Sequence, residues 1–167
     1  MENKIYLLDC TLRDGGYVNN WNFGYDAIKN IKEGLELSGV DIIELGFIRK
    51  EKYDKNRAVF SCGMDFNNIM ATKNKNVIYS AMIEGCDIEN LYPVELLAQP
   101  SISGLDYIRV CTWKRLMREH FDYCKTIVKA GYQVSLQPTA VEQYSFEEFT
   151  ERKLQTQVLR VLCSCHG

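Results

Sequence analysis

The chain has 167 residues, 46% of them hydrophobic and 25% charged, with 3 Pro and 11 Gly. That is the usage of an ordinary globular domain with one sizeable core, and it excludes a disordered, collagenous or fibrous chain. Twenty Lys and Arg against 22 Asp and Glu leave a formal charge of −2, so the basic footprint of a nucleic-acid binder is missing. No apolar run approaches the ~18 residues of a membrane span. The opening Met-Glu-Asn-Lys-Ile-Tyr-Leu-Leu-Asp turns acidic too soon for a secretory signal. Seven cysteines, an odd number scattered without a C-x-x-C pair, read as reduced thiols of a cytoplasmic protein.

In chain order, Ile5–Leu8 is a short apolar run closed by Asp9, followed by a loop rich in Gly, Asn and aromatics over 15–22. Ala27, Ile28, Ile31, Leu35 and Leu37 stand mostly at helical spacing and predict a helix over 24–38, with Gly39 as its stop. Val40–Phe47 reads as a second strand, 64–73 as a short helix, Val77–Ile83 as a third strand and 93–98 as a weaker helix. Leu105–Cys111 is the fourth strand. Trp113–Ala130 is the clearest helix, its apolar face running through Trp113, Leu116, Met117, Phe121, Cys124, Ile127 and Val128, with Gly131 after it. His120 falls outside that face and is expected at the surface. Tyr132–Gln137 is the fifth strand, and Ser145 before Glu147 and Glu148 marks another helix start, a capping Ser with an acidic first turn.

About five sequential β/α units with near-continuously apolar strands indicate a parallel sheet with helices packed outside it. A doubly wound open sheet and a (β/α)8 barrel both satisfy that pattern. A barrel needs at least ~200 residues, so length alone favours the open sheet. The tail over 152–167 is atypical and ends in Cys163-x-Cys165-His166, one ligand short of a structural zinc set.

Chemistry concentrates where the first strand empties into Asp9-Cys10-Thr11-Leu12-Arg13-Asp14-Gly15-Gly16. Parallel α/β folds bind ligands where the carboxyl ends of strands meet their loops. Two carboxylates and a guanidinium there suit a hard cation or an oxyanion, and the glycines admit a close backbone approach. The plainer alternative is an ion pair pinning a surface turn. Arg109, between Ile108 and Val110, needs a partner: a substrate carboxylate or Glu44. Gln137 and Thr139, at the end of the fifth strand, are further candidates for substrate binding. Glu84, after the third strand, reads as a solvated loop residue. No G-x-G-x-x-G or Walker-type loop follows the first strand.

Asp9-x-Thr11-Leu12-Arg13-Asp14-Gly15 resembles the signature of the DRE-TIM metallolyases, a family that includes 3-hydroxy-3-methylglutaryl-CoA lyase, isopropylmalate synthase and 4-hydroxy-2-oxovalerate aldolase. Gly39-Val-Asp-Ile-Ile-Glu44-Leu-Gly46-Phe resembles the family's second strand, and the segment over 15–23 is most similar to the aldolase-like members. The resemblance implies a partial TIM (β/α)8 barrel, with residues 1–151 as the N-terminal portion of an aldolase-type barrel. It implies a site at the C-terminal mouth and carbon–carbon lyase chemistry on a small-molecule 2-oxo acid through a pyruvate enolate. On it, Asp14 ligates a divalent metal (Mn or Mg, with Zn the third choice), Arg13 steadies the enolate oxygen, and Glu44 lines the polar floor. Asp9, Arg109, Gln137 and Thr139 then face substrate.

The sequence departs from the family in lacking its His-x-His metal ligands, because His120 and His166 are its only histidines. The metal is therefore expected to be weak or absent in this chain. The simplest account is a shortened barrel, whose open edges favour self-association. A catalytically inactive half-barrel acting through a partner, and an open α/β small-molecule module, stand as alternatives.

Overall fold

The computed structural model describes residues 5–85 and 87–148. The expectations placed on the tail over 152–167, including Cys163, Cys165 and His166, lie outside the described residues. The chain runs β1 (Leu8–Asp9), α1 (Thr11–Asp14), α2 (Tyr25–Leu37), β2 (Ile42–Ile48), β3 (Val59–Phe60), α3 (Asn67–Met70), β4 (Ile78–Ile83), α4 (Pro100–Ser103), β5 (Tyr107–Thr112), α5 (Met117–Lys129) and β6 (Gln133–Pro138). Short 3-10 turns fill several of the connections. No helix among the described residues is long and apolar enough to cross a membrane.

The sheet order is β1-β2-β4-β5-β6, every pairing parallel, with β3 a short branch on β2. The principal strands thus follow one another in sequence and curl into half of a β/α barrel. A reversed order with a switch-point crevice, which the open-sheet alternative requires, is not adopted. All seven residues of β2 are buried, as a strand covered on both faces requires. Each fully buried Ile, Leu or Phe there contributes about 1.5–3 kcal/mol.

Several elements differ from the pattern-based expectation for identifiable reasons. The first strand shrinks to Leu8–Asp9, leaving Ile5 90% and Leu7 62% exposed. The Leu7 carbonyl still accepts the Ile42 N–H at 3.0 Å, but its N–H goes to the Asp41 carboxylate at 2.9 Å, which ends the regular ladder there. Phe47 is bonded across to Ala58 because Gly46 lets the two segments close up. A Cβ on Gly46 would stand 2.0 Å from the Ala58 oxygen, and its φ of +142° disfavours any L side chain. That approach creates β3, which carries no periodic signal of its own.

In α2 the buried stripe runs through Ile28 and Lys32, while Leu37 is 90% exposed. Lys32 lies one turn from Ile28 and so must enter the core. Its ammonium is met by the Thr72 carbonyl at 2.9 Å, by Glu36 at 2.7 Å and by the Tyr79 ring face. In α5 the stripe is Leu116, His120, Cys124 and Ile127, so the expectation of a surface His120 is wrong. The imidazole is fully buried, with Nδ1 2.6 Å from the Thr112 hydroxyl. Trp113, expected on that face, is 45% exposed because the regular helix begins only at Met117. Ser145 does cap the turn that follows it: its Oγ accepts the Glu148 N–H while Glu148 returns to the Ser145 N–H.

Candidate active site at the mouth of the half-barrel

The chain leaves β1 through a tight turn that turns Arg13 inward. The Cys10 carbonyl accepts the N–H groups of Arg13 and Asp14. Asp9 accepts the Thr11 N–H at 2.9 Å and the Thr11 hydroxyl at 3.0 Å. Asp9 thus caps the turn and stands outside the cavity wall. Trp21 Nε1 donates to the Arg13 carbonyl at 2.6 Å. Its indole lies so close to Gly16 that a Cβ there would meet the ring at 1.9 Å. Only glycine fits between the signature turn and this aromatic.

The Arg13 guanidinium and Glu44 form the core of the site. Glu44, fully buried, accepts Arg13 Nε at 2.6 Å on one carboxylate oxygen and Arg109 Nη1 at 2.8 Å on the other. Arg109 Nη2 continues to Gln137 Oε1 at 2.9 Å. Register explains how Arg109 reaches β2: it is level with Met82 on β4, while Glu44 is level with Ser80, so the guanidinium reaches back to Glu44 past the small Ser80 side chain. Both of the partners proposed for Arg109 were substrate or Glu44, and the structure places Glu44 there. Burial alone would pull the Arg13 pKa down. The charge and hydrogen bond of Glu44, with Asp14, outweigh burial and hold the guanidinium above its ordinary value. Nearby, burial pushes the Cys10 thiol up to about 11, which keeps it protonated beside Asp14.

Arg13 Nη1 pairs with Asp14, and the two side chains open onto a cavity of about 740 Å³. With Nε on Glu44 and Nη1 on Asp14, Nη2 is the donor left for a ligand. Gln137 and Thr139 also line this cavity, Thr139 with its N–H and hydroxyl both given to the Thr112 carbonyl. Arg13, Asp14, Gln137 and Thr139 therefore line one mouth, Glu44 and Arg109 lie buried behind it and bond to Arg13 and Gln137, and Asp9 is set apart.

Glu84 in the wall and its partner Arg49 escaped sequence reasoning. Glu84, expected in a solvated loop, lines the cavity and accepts Arg49 Nη2 at 2.7 Å. Arg49 lies 4.3 Å from the centroids of both Trp21 and Phe47. Its place directly after β2 was the available signal.

A divalent ion prefers about six oxygen ligands, mostly carboxylates and water. Among the described residues no three His, Cys, Asp or Glu side chains come together to hold one. Asp14 already faces Arg13 and accepts the Cys10 thiol at 3.4 Å. The donor set does not fit a metal centre.

No protein-family profile matches the chain. Over 47 residues it is 47% identical to 2-isopropylmalate synthase of Staphylococcus saprophyticus, a stretch covering 28% of this chain and 9% of the synthase. The corresponding enzyme of Staphylococcus epidermidis is 45% identical over the same length. The chain thus spans under a tenth of the curated relatives it matches. Among solved structures, the N-terminal domain of a Bacteroides vulgatus protein assigned as an aldolase superposes with a TM-score of 0.70 at 20% identity. That match covers 95% of this chain and 54% of the other. The fold is accordingly that of a partial β/α barrel, with local sequence similarity to 2-isopropylmalate synthase.

Proposed function

We propose that this chain carries the enolate-binding half of a DRE-TIM-type carbon–carbon lyase or synthase, acting on a small 2-oxo acid. The observation that carries this reading is the Arg13 guanidinium, fixed by Glu44 at 2.6 Å and opening on the cavity at the carboxyl ends of the strands. A hydrogen-bond donor held in a water-poor site stabilises the oxygen charge that develops when a bond beside a carbonyl breaks. Arg13 Nη2 supplies that donor, Glu44 and Arg109 fix its direction, and Gln137 and Thr139 form the polar part of the wall opposite. Similarity to the synthases and the superposition on the aldolase domain support the same class.

The test is exchange of pyruvate methyl protons with deuterium, followed by proton NMR. The intact chain accelerates exchange, and Arg13→Ala slows it by about 100-fold, the usual cost of one oxyanion donor. Equal rates with and without Arg13 would remove the assignment.

A second reading rests on a separate observation. Among the described residues β1 and β6 each bond one neighbour only, and Ile5 and Leu7 stand exposed beside β1. We propose that a second copy of the chain covers this edge. Light scattering then shows a concentration-dependent dimer, whereas a monomer up to high concentration contradicts it.

A further inference from the structure

We infer that Glu84 is the proton-carrying catalytic residue of this site, a role resting on the 2-oxo acid reading above. Two Arg–carboxylate pairs flank the Phe47 ring. Arg13, with Asp14, lies 5.9 Å from its centroid, and Arg49, with Glu84, lies 4.3 Å from it. Both carboxylates and the Phe47 ring line the same cavity. The two acids are differently committed, however. Asp14 gives one oxygen to Arg13 and the other to the Cys10 thiol, whereas among the described residues Glu84 accepts only Arg49, on Oε1.

Glu84 is also held in place. Arg49 lies over both the Trp21 and Phe47 rings, which meet edge to face, at 4.3 Å from each centroid, a cation–π clamp on the group that pairs with Glu84. A base acts only when positioned within hydrogen-bond reach of the proton it takes, and this clamp provides such positioning. The groups facing Glu84 are Arg49 beyond β2, Tyr17 on the turn after α1, Arg13 and Asp14 across the cavity, Cys111 on β5 and Glu142 beyond β6. Burial first, then the Glu84 charge, raise the Tyr17 phenol, so Tyr17 stays protonated and leaves the base role to the carboxylate.

In the step, a methyl C–H bond of the 2-oxo acid breaks and its proton passes to Glu84 Oε2. The C–H electron pair becomes the carbon–carbon double bond, and the carbonyl pair moves to the oxygen held by Arg13. Return of a proton or deuteron from Glu84 to the same carbon restores the ketone.

Pyruvate methyl exchange is measured on the wild type, Glu84→Gln and Glu84→Ala. Glu84→Gln keeps an amide oxygen for Arg49 but carries no proton, and its rate falls by about 100-fold or more. Glu84→Ala falls equally and recovers as sodium formate is added, since formate refills the space as a free carboxylate. Wild-type exchange matched by Glu84→Gln, or formate without effect on Glu84→Ala, overturns the role of Glu84 and leaves the 2-oxo acid reading standing. No exchange by the wild type overturns both.

Discussion

The two ends of the half-barrel both carry buried charge, and they use it differently. At the amino ends of the strands, Lys32 is capped by Glu36, the Thr72 carbonyl and the Tyr79 ring, while Lys73 pairs with Asp106 at 2.6 Å. Tyr79 closes the group by donating to Glu36 and accepting the Asn74 N–H. None of these side chains lines the cavity. At the carboxyl ends, Arg13, Glu44, Arg109 and Gln137 form a chain of equal burial whose first member opens onto a space large enough for a small acid. In barrels of this kind the carboxyl end is where ligands sit and the amino end is where stability is built. A buried ion network is therefore a functional signal here only at the end where a donor is left over.

Variants that separate the two ends sharpen this contrast. The largest effect belongs to Glu44→Gln. It leaves Arg109 buried without its carboxylate and Arg13 with Asp14 alone, and the loss is about 3–5 kcal/mol in urea denaturation. Ser80→Leu comes next. It fills the place over which Arg109 reaches Glu44 and costs about 1–3 kcal/mol by overpacking, together with a loss of ligand affinity. The double change Lys32→Met with Glu36→Leu replaces a buried pair at the other end by apolar groups of similar volume. Its stability stays within about 1 kcal/mol of the wild type, and ligand binding is unchanged. If that variant lost ligand binding as Ser80→Leu does, the division of labour between the ends would be wrong.

The smallest predicted effect is a pH dependence from His120. Burial holds its pKa below the ordinary 6.5, so the unfolded chain binds a proton more readily than the folded one. Its contribution to stability is present above pH 6.5 and is lost as pH falls through the lower folded value. Thermal melts at pH 7.5 and 5.0 show a smaller acid-side loss in His120→Gln than in the wild type.

The strands were legible because their residues are apolar almost without interruption, as the seven buried positions of β2 illustrate. Arg13, Glu44 and Arg109 were legible because each interrupts or ends such a run, and a charge there demands a partner. Lys32 and His120 were not, since counting apolar residues leaves any polar side chain off the buried stripe. Both in fact continue it at one-turn spacing, their polar atoms met by groups distant in sequence: Thr72 for Lys32, and Thr112 for His120. β3 depends on the close approach of Ala58 to Gly46, a contact no local pattern announces. Glu84 and Arg49 were missed for a related reason: their pairing beside the wall follows from the β2–β4 register and from the Trp21 and Phe47 rings beneath Arg49.

The central claim is that Arg13 presents a free donor to a planar, anionic oxygen in the mouth. Oxalate mimics the enolate of pyruvate, and its binding can be followed by isothermal titration calorimetry on the intact chain and on Arg13→Ala. The wild type should bind one oxalate, and the variant, with its circular dichroism unchanged, should bind at least about tenfold more weakly, one charge-assisted hydrogen bond being worth about 1.5–3 kcal/mol. Equal affinity in the two folded proteins would contradict it.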